Sequence, residues 1–287
     1  LHRMVSNEIN ALQPGEGNYC FLLNAQGHIL ADLNVLVQPE RLLLETEPFL
    51  TEKVRQTLDS FIIMDQVELE DLSARLGTIG LEGPLCRRLV RQVWGVEPPV
   101  SQPLAHFSLP EPGVLAVQAT LTGQGLWIMA PTDRLAKLWE SLVEAAGRLQ
   151  GRPVGFAAME VARIEAGIPR YGSDFGEHTI PQETGLLHAI SFTKGCYPGQ
   201  EIVERVRSRG HVNRMLVGLV ADKPLRPGMK VEAGAREIGH VTSATDSPSL
   251  GKPIALAYVR REFSEPGNKV TVDGAPAEVT PLPFAPA

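Results

Sequence analysis

The sequence is short of what metal centres and disulfide scaffolds are made from. It holds three cysteines, Cys20, Cys86 and Cys196, and no CxxC pair. Three scattered thiols cannot all pair, which points to a reducing compartment and argues against a zinc ribbon or an all-cysteine iron–sulfur cluster of its own. The seven histidines show neither HxH nor HExxH spacing, so no resident metal is expected. No apolar run approaches the roughly 18 residues a membrane-spanning helix needs. The opening "LHRMVSNEIN" lacks the basic-then-apolar layout of a secretory leader, so a cytoplasmic protein with no membrane partner is expected. It begins on Leu1 rather than Met, consistent with a trimmed N-terminus. Positive charge is scarce as well. The net charge of −6 speaks against general nucleic-acid binding and leaves room only for a local basic patch.

What is present patterns well. Hydrophobic residues make up 43% and charged residues 21% of the chain, enough for an ordinary globular core over one large or a few smaller domains. "NYCFLLNAQGHILADLNVLV" reads as a hairpin, with strands over 19–23 and 29–37 around a turn at Asn24 to Gly27. "TEKVRQTLDSFI" has helical spacing through Val54, Leu58 and Phe61, and "GPLCRRLVRQVWG" predicts a second helix ending at Gly95. A Pro-rich linker follows over 98–112, then a strand pair around "GVLAVQATLTGQGLWIMA" and a helix in "DRLAKLWESLVEAAGRL". "FAAMEVARIEAGIPRYG" predicts a helix closed by Gly167. After about Arg214 the segments are short, alternating and punctuated by Gly and Pro, as in a small antiparallel barrel or sandwich. The fold class is α+β with an all-β C-terminal domain.

One stretch asks for a function. "ISFTKGCYPGQEIVERVRSRG" sets Lys194 two residues before Cys196 and places glycines at 195 and 199. Those glycines permit a tight turn or close approach to a ligand, and a helix start follows. A neighbouring cation and a helix N-terminus both favour a thiolate, so Cys196 is a candidate catalytic thiol and Lys194 its electrostatic partner.

Three stretches carry a resemblance. "KGCYPGQE" over 194–201, "RIEAGIPRYGSDF" over 163–175 and "IGHVTSATDSPSLGKPIALAYVRR" from Ile238 resemble the YgfZ-type folate-binding proteins, relatives of the glycine-cleavage T-protein (aminomethyltransferase). The resemblance implies an aminomethyltransferase-like, folate-binding α/β body of two intertwined subdomains over 1–210, then a C-terminal antiparallel β-barrel over 211–287. It implies tetrahydrofolate or a one-carbon derivative as cofactor, a monomer, and no stable nucleic-acid partner. In "GHILADLNV" the transferases carry two adjacent aspartates, of which the second, used beside the reactive folate nitrogens, is Asp32 here and the first is Ala31. Trp127 stands where the transferases place a glutamate, and Met159 where they place an arginine.

On that resemblance the candidate catalytic residues are Cys196, Lys194 and Asp32. The candidate cofactor-binding residues are Tyr19, Asp32, Trp127, Arg163, Glu165, Tyr171, Lys194, Tyr197, Gln200, Glu201 and Arg205. Each has a plainer reading. Cys20 and Cys86 are core thiols. Arg163 and Glu165 form a helix end more structural than catalytic, and Tyr19 and Tyr171 are core aromatics as readily as pterin-stacking ones. Arg205, Arg207 and Arg209 alternate, so in a strand they would share one face, either solvated or binding glutamyl carboxylates or RNA phosphates. The leading functional reading is an accessory protein that binds tetrahydrofolate and supports iron–sulfur cluster assembly or repair. Its clients would include radical-SAM tRNA-modifying enzymes. The alternative is a folate-dependent one-carbon transferase, and a tRNA-binding module is the weaker third.

Overall fold

The computed structural model describes residues 1–64, 66–99 and 102–284. The described chain divides into two compact units. The first comprises Leu1–Leu22, Ala31–Val154 and Thr193–Tyr197; the second comprises Leu23–Leu30, Gly155–Phe192 and the chain from Pro198 onward.

β1 (Gly17–Leu23), β2 (Ile29–Val37) and β3 (Leu42–Glu45) form a three-stranded sheet in that order, assigned to the first unit except for the hairpin tip, Leu23–Leu30, which belongs to the second. The expected hairpin is there. The Gly27 amide closes its turn on the Asn24 carbonyl at 3.0 Å, with Gly27 at φ 76°. Alternation along β2 buries Ala31, Leu33 and Val35 and turns Asp32 and Asn34 to the other face. Helix α1 (Thr51–Asp59) buries Val54 and Leu58. It stops before Phe61, which the spacing placed on the inner face but which is 55% exposed, because the chain has already left the helical period.

The second sheet of this unit runs β4-β7-β6-β5, antiparallel throughout, from β4 (Leu76–Glu82), β5 (His106–Ser108), β6 (Leu115–Val117) and β7 (Gly125–Pro131). Leu89 and Val90 of α2 (Cys86–Trp94) and Leu138, Leu142 and Ala145 of α3 (Leu135–Arg148) pack into one core with Ile79, Leu126 and Ile128. The Pro-rich stretch over 98–112 is not a plain linker. Its Val100 and Ser101 lie outside the described residues, but His106–Ser108 pairs with β6, and the buried His106 ring contacts the Leu104 and Val37 carbonyls at 3.0 Å each. Prolines on either side hid an edge strand whose anchor is a polar side chain.

The second unit contains α4 (Phe156–Glu165), α5 (Gln200–Arg209) and six strands. These are β8 (Arg214–Ala221), β9 (Lys230–Ala233), β10 (Arg236–Ser247), β11 (Lys252–Arg260), β12 (Lys269–Val272) and β13 (Ala275–Thr280). They close into a barrel in the order β10-β11-β8-β13-β12-β9, every pair antiparallel. Leu219, Val231, Ala255, Ala257 and Val259 fill the interior. Leu216, Ile254, Leu256 and Tyr258 form an outer patch that takes Ile164 of α4. With both faces covered, Ile254 to Val259 reads as an unbroken apolar run rather than an alternating one. Among the described residues no helix is long and apolar enough to cross a membrane.

Two glycines test this packing. A Cβ added at Gly239 would run into the Tyr258 carbonyl across the β10–β11 ladder, whereas one added at Gly147 of α3 meets nothing within 4 Å. Gly239→Ala should lower stability by about 2 to 3 kcal/mol. Gly147→Ala should raise it by about 0.5 to 1 kcal/mol through helix propensity and a less free unfolded chain. Urea unfolding of the two variants measures both.

Candidate functional site

The polar face of β2 is the most developed site in the first unit. The Tyr19 hydroxyl donates to Asp32 Oδ2 at 2.9 Å. The Thr46 hydroxyl donates to the Asp32 backbone carbonyl at 2.8 Å, and Asn34 Nδ2 donates to Glu45 Oε2 at 2.7 Å across the β2–β3 ladder. Tyr19 and Glu45 have dense protein surroundings yet keep part of their surface open to solvent. Burial, then the charge of Asp32, pushes the Tyr19 phenol well above its ordinary value, so it remains a donor. Burial also raises Glu45, against the Asn34 bond that favours its carboxylate. Trp127 and Tyr19 both pack on the apolar cluster of Leu36, Leu104, Val117 and Met129. Two carboxyl groups and two aromatic rings thus share one region.

Asp32, Tyr19 and Trp127 were all legible in the sequence. Asn34, Glu45 and Thr46 were not singled out there. The signal for Asn34 was its spacing of two from Asp32, which fixes a common face. Only the strand register brings Glu45 opposite Asn34.

Lys194 requires a correction. Its ammonium does not serve as the cation of the Cys196 thiol but donates to the carbonyls of His2, Val5 (2.6 Å) and Asn7 (2.9 Å), leaving the residue 8% exposed. It also lies 5.2 Å from the ring centre of the buried Tyr197. Burial lowers the Lys194 pKa, and the thiol that feels its charge is Cys20. Cys20 is the core thiol the strand pattern predicted, and burial pushes it up to about 12. Cys86 is half-buried against the α2–α3 core, and Cys196 is exposed.

The remaining candidates fall in the second unit. Arg163 of α4 is buried, with Nη1 on Asp174 Oδ2 at 2.8 Å, Nη2 on Glu160 Oε2 at 2.7 Å and Nη2 on Ser243 Oγ at 2.8 Å. Glu165 accepts from the hydroxyls of Ser247 and Ser249. Both residues fasten α4 to β10 and its end. Tyr171 is buried, donates to the Leu30 carbonyl at 2.8 Å and meets Phe175 edge-on.

The arginine series lies on α5 rather than on a strand, so alternation does not give it one face. Arg205 pairs with Glu201 at 2.6 Å one turn away, and Arg207 pairs with Glu204 while covering the Phe192 ring. The Arg209 side chain lies outside the described atoms. Gln200 opens α5 behind Gly199, whose φ of 79° sets it against the hairpin tip, where a Cβ would strike the Asn24 carbonyl and Gly27. That close approach is to backbone of the same unit, which accounts for Gly199 without a ligand.

Residues 1–194 match the GCVT N-terminal domain, and residues 214–285 match the glycine cleavage T-protein C-terminal barrel domain. The chain belongs to the glycine-cleavage T-protein family. An aminomethyltransferase from Nostoc is 31% identical over 306 residues, spanning 99% of this chain and 78% of that protein. One from Geobacillus kaustophilus is 28% identical over 295 residues, spanning 99% and 81%. The crystal structure of the glycine cleavage system aminomethyltransferase T from Bartonella henselae aligns with a TM-score of 0.85 at 25% identity, over 98% of this chain and 79% of that one. The α+β class with a closed C-terminal barrel is therefore a T-protein fold, as the residue resemblance implied.

Two variants separate structural from functional groups in this T-protein relative. Asp174 has no exposed side-chain surface, so Asp174→Ala strands the Arg163 charge and should cost about 3 to 5 kcal/mol in urea unfolding. Glu45 keeps its proton to higher pH in the folded protein than in the unfolded chain, so its contribution is favourable at low pH. That contribution is lost as pH rises from the ordinary value of 4.5 through the raised folded value. Glu45→Gln should flatten the stability profile across that window and raise the melting temperature at neutral pH.

Proposed function

We propose that the chain is a tetrahydrofolate-dependent one-carbon transferase of the aminomethyltransferase type, with Asp32 as its catalytic acid. The observation that carries this reading is the Asp32 carboxylate on the polar face of β2, held by the Tyr19 phenol, whose ring packs on the same apolar cluster as Trp127. Tetrahydrofolate supplies the nitrogen that carries the one-carbon unit. The donor set fits such a group, because carboxylates at 32 and 45 can accept from the N–H edge of a fused heterocycle and flat rings border an apolar floor. Tyr19 fixes the Asp32 carboxylate, which would orient the folate nitrogen or move its proton. Trp127, standing where the transferases carry a glutamate, would shift the pterin pose and weaken binding. On this reading residues 1–210 carry the folate site and 211–287 the barrel.

A second reading rests on a separate observation. "KGCYPGQE" presents Cys196 exposed, just ahead of α5, where no packing role calls for a thiol. An exposed thiol there suits the narrower YgfZ-type likeness, in which a folate-binding protein supports iron–sulfur clients, including the enzymes of tRNA methylthiolation. The client would supply the cluster ligands.

Asp32→Asn should cut aminomethyl transfer by about a hundredfold or more while calorimetry still detects binding of reduced folate. Wild-type turnover in that variant would remove the transferase reading. Cys196→Ser should leave turnover intact. In cells lacking the protein it should fail to restore iron–sulfur enzyme activities only if the accessory reading holds, since a serine hydroxyl is a poor metal ligand and nucleophile at neutral pH.

A further inference from the structure

The outer face of the barrel carries a charge arrangement that the fold alone does not balance. Arg214 of β8 and Arg260 of β11 stand directly opposite each other in the antiparallel ladder. Like charges in that position destabilise a sheet. Arg214 is partly neutralised, since its Nε and Nη2 reach the two oxygens of Glu183 at 3.1 and 3.0 Å, and Nη2 also reaches the His178 carbonyl. Its Nη1 has no partner among the described residues, and neither has any side-chain donor of Arg260. Glu262, whose carboxylate borders the same recess, is engaged by Arg236 at 2.9 Å.

The two guanidinium groups border a recess of about 410 Å³. His240 and Asn213 also line it, and neither side chain makes a hydrogen bond among the described residues. His240 sits opposite Tyr258 in the next ladder, with its ring 6.2 Å from the tyrosine ring. Tyr258 lines it too, and the Arg214 guanidinium lies over the Tyr258 ring at 4.7 Å, fixed by stacking as well as by Glu183. A held arginine, an arginine with no side-chain partner among the described residues, an imidazole and an amide therefore border a space the size of a small metabolite, with Glu262 the one acid of the lining and already paired with Arg236. Interior packing requires neither arginine nor the imidazole, which lie on the outer face of the wall, and Asn213 stands just ahead of β8.

We propose that this recess is a binding site for a small oxyanion, carrying carboxylate or phosphoryl oxygens, bridged between Arg214 and Arg260. Guanidinium forks match both oxygen geometries. His240 then faces Arg214 and Arg260 from β8 and β11, Tyr258 from β11, Lys230 from β9 and Glu237 on its own strand. Glu237 is itself engaged by Lys230 at 2.7 Å. Partial burial and Arg214 lower the His240 pKa and Glu237 raises it. An anion in the recess adds a negative neighbour, so its binding moves the His240 titration upward and tightens as pH falls.

The test is a proton NMR titration of the full chain at constant ionic strength with inorganic phosphate and, separately, glutarate, following the His240 ring resonance assigned through His240→Gln. A saturable shift is expected with at least one of them, and which one saturates identifies the phosphoryl or carboxylate class. Arg260→Gln should weaken that binding by about tenfold or more, while Arg226→Gln, an exposed arginine elsewhere on the barrel, should not. Linear, non-saturating shifts with both anions would overturn the proposal, as would equal losses in the two arginine variants.

Discussion

A single buried ammonium ties together chain segments that are far apart in sequence. The first unit is assembled from 1–22, 31–154 and a short return over 193–197, and Lys194 in that return is bonded to three carbonyls of the N-terminal segment. Hydrogen bonds to a charged group contribute about 1.5 to 3 kcal/mol each, enough to offset the cost of closing so long a loop. Stripping water from the cation works the other way, which is why all three of its donors are used. The same contact decides what the cysteine loop can be. Once Lys194 is turned inward, Cys196 remains exposed without that cation as a partner.

Strand alternation imposes the second constraint. Because Ala31, Leu33 and Val35 must face the core, Asp32 and Asn34 are presented together on the opposite side, where Tyr19 and Glu45 meet them. Moving the register by one residue would bury Asp32 among aliphatic side chains, at a cost no local hydrogen bond could meet. The acid is thus positioned by the apolar residues flanking it as much as by its own partners.

The barrel divides its labour by face. Small and branched residues fill its interior, while the outer face carries an apolar patch for α4 and, at the ends of β8 and β11, a pair of opposed arginines. The buried Arg163, with Asp174, Glu160 and Ser243, joins α4 to β10 through a satisfied ionic network. An arginine with four committed partners, the Ile168 carbonyl among them, is a fastener. Arg260, by contrast, has no side-chain partner among the described residues.

Periodicity in the sequence determined the β1–β2 hairpin, helices α2, α3 and α4, and the change to an all-β texture after Arg214, because hydrophobic spacing and Gly or Pro punctuation act within a few residues. Asp32, Cys20 and the exposed loop around Cys196 were legible for the same reason. Direction and pairing across long separations were not. That Lys194 reaches Val5, that His106 makes an edge strand of a Pro-rich stretch, and that Arg205 and Arg207 lie on a helix rather than along one strand face follow from contacts no local window contains. So do the pairings of Glu45 with Asn34 and of Arg260 with Arg214. Tertiary structure alone decided these, because a side chain's partner is set by strand register and chain return, whereas its burial is already implied by its neighbours in sequence.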